Sequence, residues 1–219
     1  MAEIITVKAS ELEIPERIIK EYLGYYDMEA SGELLDIIED CKKEVLACVD
    51  YKACISKVEF CEKKDGRICL GFMETESKSL AGNLKNCESA YVIAATTGVA
   101  LHRLIGRNII ISPVRGMVTD ALGSAAIEAF CDYINMTIGD VDYLRPRFSP
   151  GYGDLALGCQ PQILEYLDAT KKIGLSLTEK GMLTPVKSVT AIIGLSKEKN
   201  KCRSKKGCMV CDRENCPYS

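Results

Sequence analysis

The chain has 219 residues, 47% of them hydrophobic and 27% charged, enough apolar material to close a core without covalent staples, which argues against a disordered chain. A net charge of −3 excludes a general electrostatic pull toward nucleic acid, and the one basic run, Lys197, Lys199, Lys201, Arg203, Lys205 and Lys206, reads as a solvated tail. The first ten residues lack the charged-then-apolar pattern of a signal peptide and the longest apolar stretch, 90–101, is too short to span a bilayer, so a cytoplasmic protein without a membrane partner is expected.

In chain order, 14–22 and 32–49 carry helical apolar spacing, with Leu34, Leu35, Ile38 and Val45 on one stripe and Ser31 as an N-cap. Segment 54–60 alternates as a strand does. The Asp65-Gly66 turn predicts that 67–72 folds back on it as a hairpin. A short helix over 77–84 and a buried strand over 90–96 follow. Thr97-Gly98 then turns into a helix over 99–105. The longest predicted helix covers 114–138, with Leu122, Ala125, Ala126, Ala129, Phe130 and Tyr133 on its apolar face and Gly139 as its end. Its small residues at 123–126 suit close packing against another backbone. Two prolines and two glycines exclude regular structure over 145–154. A helix over 160–172, stopped by Gly174, and strands over 175–177 and 188–195 complete the pattern. A composition shift at Ser196 divides the chain into a main domain, 1–196, and a cysteine-rich tail, 197–219.

Twelve cysteines without an export signal argue against a disulfide framework. Eight are scattered among apolar patterns and read as small core hydrophobes. The other four, Cys202, Cys208, Cys211 and Cys216, lie within fifteen residues. Four thiolates so spaced can surround one metal, either structural zinc or a redox-active iron–sulfur cluster; a metal-free tail is the alternative.

Segment 147–154, Arg-Phe-Ser-Pro-Gly-Tyr-Gly-Asp, is the most informative. Pro150 fixes one backbone angle, and Gly151 and Gly153 admit conformations closed to other residues. Arg147 offers a planar fork for a carboxylate, and Tyr152 an aromatic face with a hydroxyl. A surface connection with an exposed arginine fits these residues equally well. The lone His102 and the lack of a Ser/His/Asp arrangement give no sign of acid–base or nucleophilic catalysis.

The stretch Arg147-Phe-Ser-Pro-Gly-Tyr152 resembles the Arg-x-x-Pro-Gly-Tyr element of the activation domain of cobalamin-dependent methionine synthase. Three further segments resemble that family in order and spacing: the small-residue helix 120–130 containing Glu128, Ile173-Gly-Leu-Ser-Leu-Thr-Glu179, and Met182-Leu-Thr-Pro-Val-Lys-Ser-Val189. The resemblance spans roughly 88–195. It implies an α+β fold with an antiparallel sheet flanked by helices. It also implies S-adenosylmethionine as ligand, with Arg147 on its carboxylate, Glu128 on its amino group, Ser149, Pro150 and Gly151 shaping the backbone around it, and Tyr152 against it. The family's role is reductive methylation of oxidised cobalamin. This chain has no cobalamin-binding signature, so the corrinoid is expected on a partner, a methionine synthase or another corrinoid protein, served by an electron donor. Whether the chain is itself an enzyme, a reactivation component of the methyltransferase, is left open by the residues. An iron–sulfur electron-transfer protein and a scaffold with a zinc tail are the rival readings. The family's C-terminal extension and a tyrosine beyond its Ser-Val strand have no counterpart here. A second acidic residue near the arginine loop is matched only loosely, by Asp142.

Overall fold

A computed structural model describes residues 2–24, 32–141 and 143–198; Ser31, Asp142 and the four tail cysteines lie outside these. Among the described residues the central feature is an antiparallel sheet of four strands in the order β1 (Glu3–Val7), β2 (Tyr51–Val58), β6 (Cys87–Thr96) and β9 (Ser188–Ser196). Residues of β2, β6 and β9 alternate between two cores, as the two-residue period of a strand requires. Tyr51, Ala53, Ile55, Ile93, Ala95, Ala191 and Ile193 face one core. Cys54, Val58, Val92, Ala94 and Ile192 face the other.

The first core is covered by α1 (Glu16–Leu23), α2 (Gly32–Cys48), α4 (Val99–Ile111) and α5 (Pro113–Ile138). The second is covered by α3 (Lys78–Asn83), α6 (Gln160–Leu167), α7 (Ala169–Ile173) and a small sheet of β3 (Cys61–Glu62), β4 (Arg67–Cys69) and β5 (Glu74–Glu76). A two-stranded ribbon, β7 (Ser176–Leu177) with β8 (Leu183–Thr184), precedes β9. The expected α+β architecture, an antiparallel sheet flanked by helices, is the one observed.

Three expectations are corrected. The Lys63–Gly66 turn forms, with the Gly66 N–H donating to Lys63 O, but the strand that returns to β4 is Cys61–Glu62; residues 51–58 pair instead with β1 and β6 in the main sheet. The helix expected over 160–172 is two helices, broken at Asp168, whose φ is +53°. Of the small residues at 123–126, Gly123 meets side chains rather than a backbone. It lies under the side chains of Lys187 and Ile105, and the close backbone approach is made by Gly116, whose added Cβ would stand 2.7 Å from Ile109 Cα.

The cysteines expected in the core divide by depth. Cys41, Cys54, Cys131 and Cys159 are buried, Cys48, Cys69 and Cys87 are half-buried, Cys61 is exposed, and all eight are free thiols. No helix among the described residues is long and apolar enough to cross a membrane.

Candidate functional site

The site is assembled where α5 passes the outer edge of β9. Residues 144–148 run antiparallel to that edge. Leu144 bridges Leu195 and Phe148 bridges Ile192, the latter through a reciprocal pair of backbone bonds at 2.9 and 2.8 Å. Successive side chains of an extended segment point to opposite faces. Phe148 therefore enters the second core, fully buried, while Arg147 turns the other way, to α5.

There the guanidinium meets two carboxylates one helical turn apart. Nη2 donates to Glu128 Oε2 at 2.7 Å and Nη1 to Asp132 Oδ1 at 2.8 Å. Burial disfavours the arginine's charge, but the neighbouring Cys131 and the bonds and charges of Asp132 and Glu128 outweigh it and leave its pKa raised. Cys131 is buried beneath the pair and its thiol is pushed up to about 12 by burial, so it stays neutral and offers no nucleophile. Tyr22 of α1 is also close. Burial first, and the charge of Glu128 second, hold its phenol above the ordinary value. With Ile109, Gly116, Met117, Asp120 and Ala121 it lines a cavity of about 300 Å³ beside α5.

A second cation repeats the pattern further along the helix. Lys187, from the turn before β9, donates to Ser124 Oγ at 2.8 Å and pairs with Asp120 at 2.9 Å. Asp120, Ser124, Glu128 and Asp132 are four residues apart and so form one polar stripe along α5. Lys187 covers its first half and Arg147 its second.

The loop that carries Arg147 is rigid for reasons visible in its sequence. Tyr152 N donates to Ser149 O at 3.0 Å, with Pro150 and then Gly151 at the centre of the turn. Gly151 has φ +88°, which this turn type requires and which favours glycine. The Ser149 carbonyl is thus already used within the loop. Gly153 packs so closely on Ser79 that a Cβ would stand 2.9 Å from its Oγ. Asp154 ties the loop to the start of α3. It accepts from Ser77 Oγ at 2.5 Å, Lys78 N at 2.8 Å and Ser79 N at 3.1 Å. Tyr152 is half exposed, and its ring meets Phe148 edge-on at 5.6 Å.

The Ser77 hydroxyl, and after it the backbone donors of Ser79 and Lys78, hold the Asp154 carboxyl at about 2, down from 3.8. A carboxyl whose folded pKa is depressed contributes stability that is present above the unfolded pKa and is lost as pH falls through the folded one. Urea melts of wild type and Asp154→Asn should therefore differ most at pH 5. The difference should shrink between pH 4 and 2; a constant gap across that range would refute this account of the anchor.

Of the residues singled out in the sequence, Glu128 and Arg147 are brought into direct contact, while Ser149, Pro150, Gly151 and Tyr152 form the adjoining turn. Arg147 is not the open fork that the sequence suggested: its partners are the protein's own acids. Asp132, Lys187, Tyr22 and Asp154 were not read from the sequence. The four-residue spacing of 120, 124, 128 and 132 was the available signal for Asp132. His102 accepts from Val186 N at 3.4 Å. Among the described residues no group of three or more His, Cys, Asp or Glu could hold a metal ion; the tail cysteines are not among them.

No family model and no curated protein matches the sequence. The fold has a counterpart among solved structures in the crystal structure of the MetH reactivation domain bound to AdoHcy. It matches with a TM-score of 0.67 over 91% of this chain and 80% of that one, at 14% identity.

Proposed function

We propose that this chain binds S-adenosylmethionine at the Arg147–Glu128 pair and presents it to the cobalamin of a separate corrinoid protein, a methionine synthase or a relative, during reductive reactivation. The observation that carries the reading is the contact itself. The guanidinium and carboxylate that the sequence nominates for the two ends of an amino acid stand 2.7 Å apart, on a rigid loop and a buried helix. The fold is shared with a domain solved with S-adenosylhomocysteine.

A free amino-acid end carries a carboxylate beside an ammonium. It can exchange with the internal pair one for one, its carboxylate replacing Glu128 at the arginine fork and its ammonium taking Glu128. Each half-buried charge keeps a partner throughout, which limits the desolvation cost of the exchange. The bound corrinoid would supply a strongly nucleophilic reduced cobalt. The chain's own residues then need only fix the ligand's orientation, and positioning alone can supply a large part of a rate enhancement. Burial keeps Cys131 neutral beside the pair, so it offers no nucleophile there.

Calorimetry of the full chain with S-adenosylmethionine tests this. Heat of binding in the wild type, lost in Arg147→Ala, is expected; no binding in the wild type overturns the reading.

We further propose that Cys202, Cys208, Cys211 and Cys216 hold one metal centre. Their number and the Cys208-x-x-Cys211 pair support it. Anaerobically purified protein should carry iron with sulfide, or zinc, at about one centre per chain. The double variant Cys208→Ser/Cys211→Ser should lose it. Metal-free wild type would end the proposal.

A further inference from the structure

Arg147 has two carboxylate partners where one would neutralise it. Glu128 and Asp132 are like charges one turn apart on α5, an arrangement that is unfavourable in itself, and the single guanidinium holds both. The other cation of the stripe, Lys187, is committed to Asp120. The cluster of Arg147, Glu128 and Asp132 therefore carries one surplus negative charge.

We propose that Asp132 is a positioning and specificity-determining residue that makes this site favour a sulfonium ligand over the neutral thioether. The inference rests on the reading that the Arg147–Glu128 pair binds the amino-acid end of the ligand. When that end exchanges into the pair, Asp132 remains on Nη1, so the fork keeps its orientation while Glu128 is released to the ammonium. The ligand's amino-acid end is neutral overall, so the surplus charge of the cluster survives binding. In S-adenosylmethionine the sulfur, three bonds from the α-carbon, carries a positive charge that meets this field. In S-adenosylhomocysteine it carries none. Asp132 is the more exposed of the two acids, with 60% side-chain exposure against 36% for Glu128. Solvent therefore weakens its field, and the preference expected for the cation is about tenfold rather than thousands. A site built this way holds the methyl donor and loosens on the thioether that remains after the methyl group has gone.

The test is calorimetry of the full chain at low salt with three ligands: S-adenosylmethionine, its analogue sinefungin, which carries a protonated amine in place of the sulfonium, and S-adenosylhomocysteine. Wild type should bind both cationic ligands about tenfold more tightly than the thioether, and added salt should reduce that ratio. Asp132→Asn keeps an acceptor for Nη1 and removes the charge; its ratio should fall to near one, and Asp132→Glu should restore it. A merely structural role would weaken all three ligands together and leave the ratio unchanged. A wild-type ratio near one, or a ratio retained in Asp132→Asn, overturns the inference while leaving the binding reading intact. If none of the three ligands binds wild type, the binding reading itself fails and this inference with it.

Discussion

Replacing Arg147 by alanine is expected to weaken S-adenosylmethionine binding about a hundredfold or more, while leaving the fold nearly as stable as before. Truncating one partner of a hydrogen-bonded charge pair at a binding interface costs about 2–5 kcal/mol, because the other charge is left without a counterpart. Here the loss is twofold in kind. The ligand's carboxylate loses its fork, and Glu128 and Asp132 lose the cation that reconciles them. The second effect acts on stability and is small, a few tenths of a kcal/mol, as for any like-charged pair one turn apart on a helix. Arg147→Lys separates charge from geometry. A lysine keeps the positive charge but reaches one acceptor as a point donor and cannot grip two acids at once. Its affinity should fall between those of wild type and alanine. Calorimetry and a urea melt on the same three proteins decide the matter. An affinity loss in step with a stability loss would mean that Arg147 acts only on the fold.

Phe130→Ala is expected to cost about 3–5 kcal/mol of stability, the range for removing a fully buried aromatic ring from a close-packed core. The ring has no exposure and meets Tyr51, the first residue of β2, at 5.1 Å, so it joins α5 to one end of the sheet. Tyr51 is just as deeply buried, its hydroxyl finds no hydrogen-bond partner among the described residues, and burial pushes its pKa up to about 12. The pair is therefore held by packing alone. A domain of this size has roughly 5–15 kcal/mol of net stability, so the variant should melt far earlier. Because Phe130 lies between Glu128 and Asp132, the stripe should lose its alignment as well. Phe130→Leu, which keeps most of the volume, should cost less than about 1.5 kcal/mol. A cost for Phe130→Ala below about 1 kcal/mol would contradict the packing described.

Much of this fold was legible in the residues. Helix α5 was expected over 114–138 and runs over Pro113–Ile138, because a long apolar stripe leaves little choice; the Ser112 cap and Pro113 that start it were not read. The Pro150-Gly151 turn was legible because its chemistry is local. What failed was pairing at a distance. The turn at 63–66 was identified correctly, but strand 51–58 belongs to the main sheet, since alternation marks a strand without naming its neighbour. Strand β1 went unread: it has only five residues, and its adjacent Ile4 and Ile5, one exposed and one half-buried, break the alternation that marks a strand. The ion pair shows both sides. Arg147 was nominated by its own donor geometry as well as by resemblance and Glu128 by resemblance alone, while Asp132 looked like any solvated acid until the loop folded onto α5. The contact between residues 132 and 147 depends on the register of 144–148 against β9, which no window of sequence encodes.

That register bears also on self-association. An antiparallel sheet of four strands ends in two flanks, and an open flank is a template for a neighbouring molecule's backbone. The two bridges from Leu144 and Phe148 occupy the second half of the β9 flank, and the bulky turn at 149–154 leaves the sheet immediately afterwards. Among the described residues, no strand pairs with the outer side of the five-residue β1 or with the outer side of the first residues of β9. The loop that carries the arginine thus also hems part of the sheet, covering backbone on which another strand could otherwise be woven.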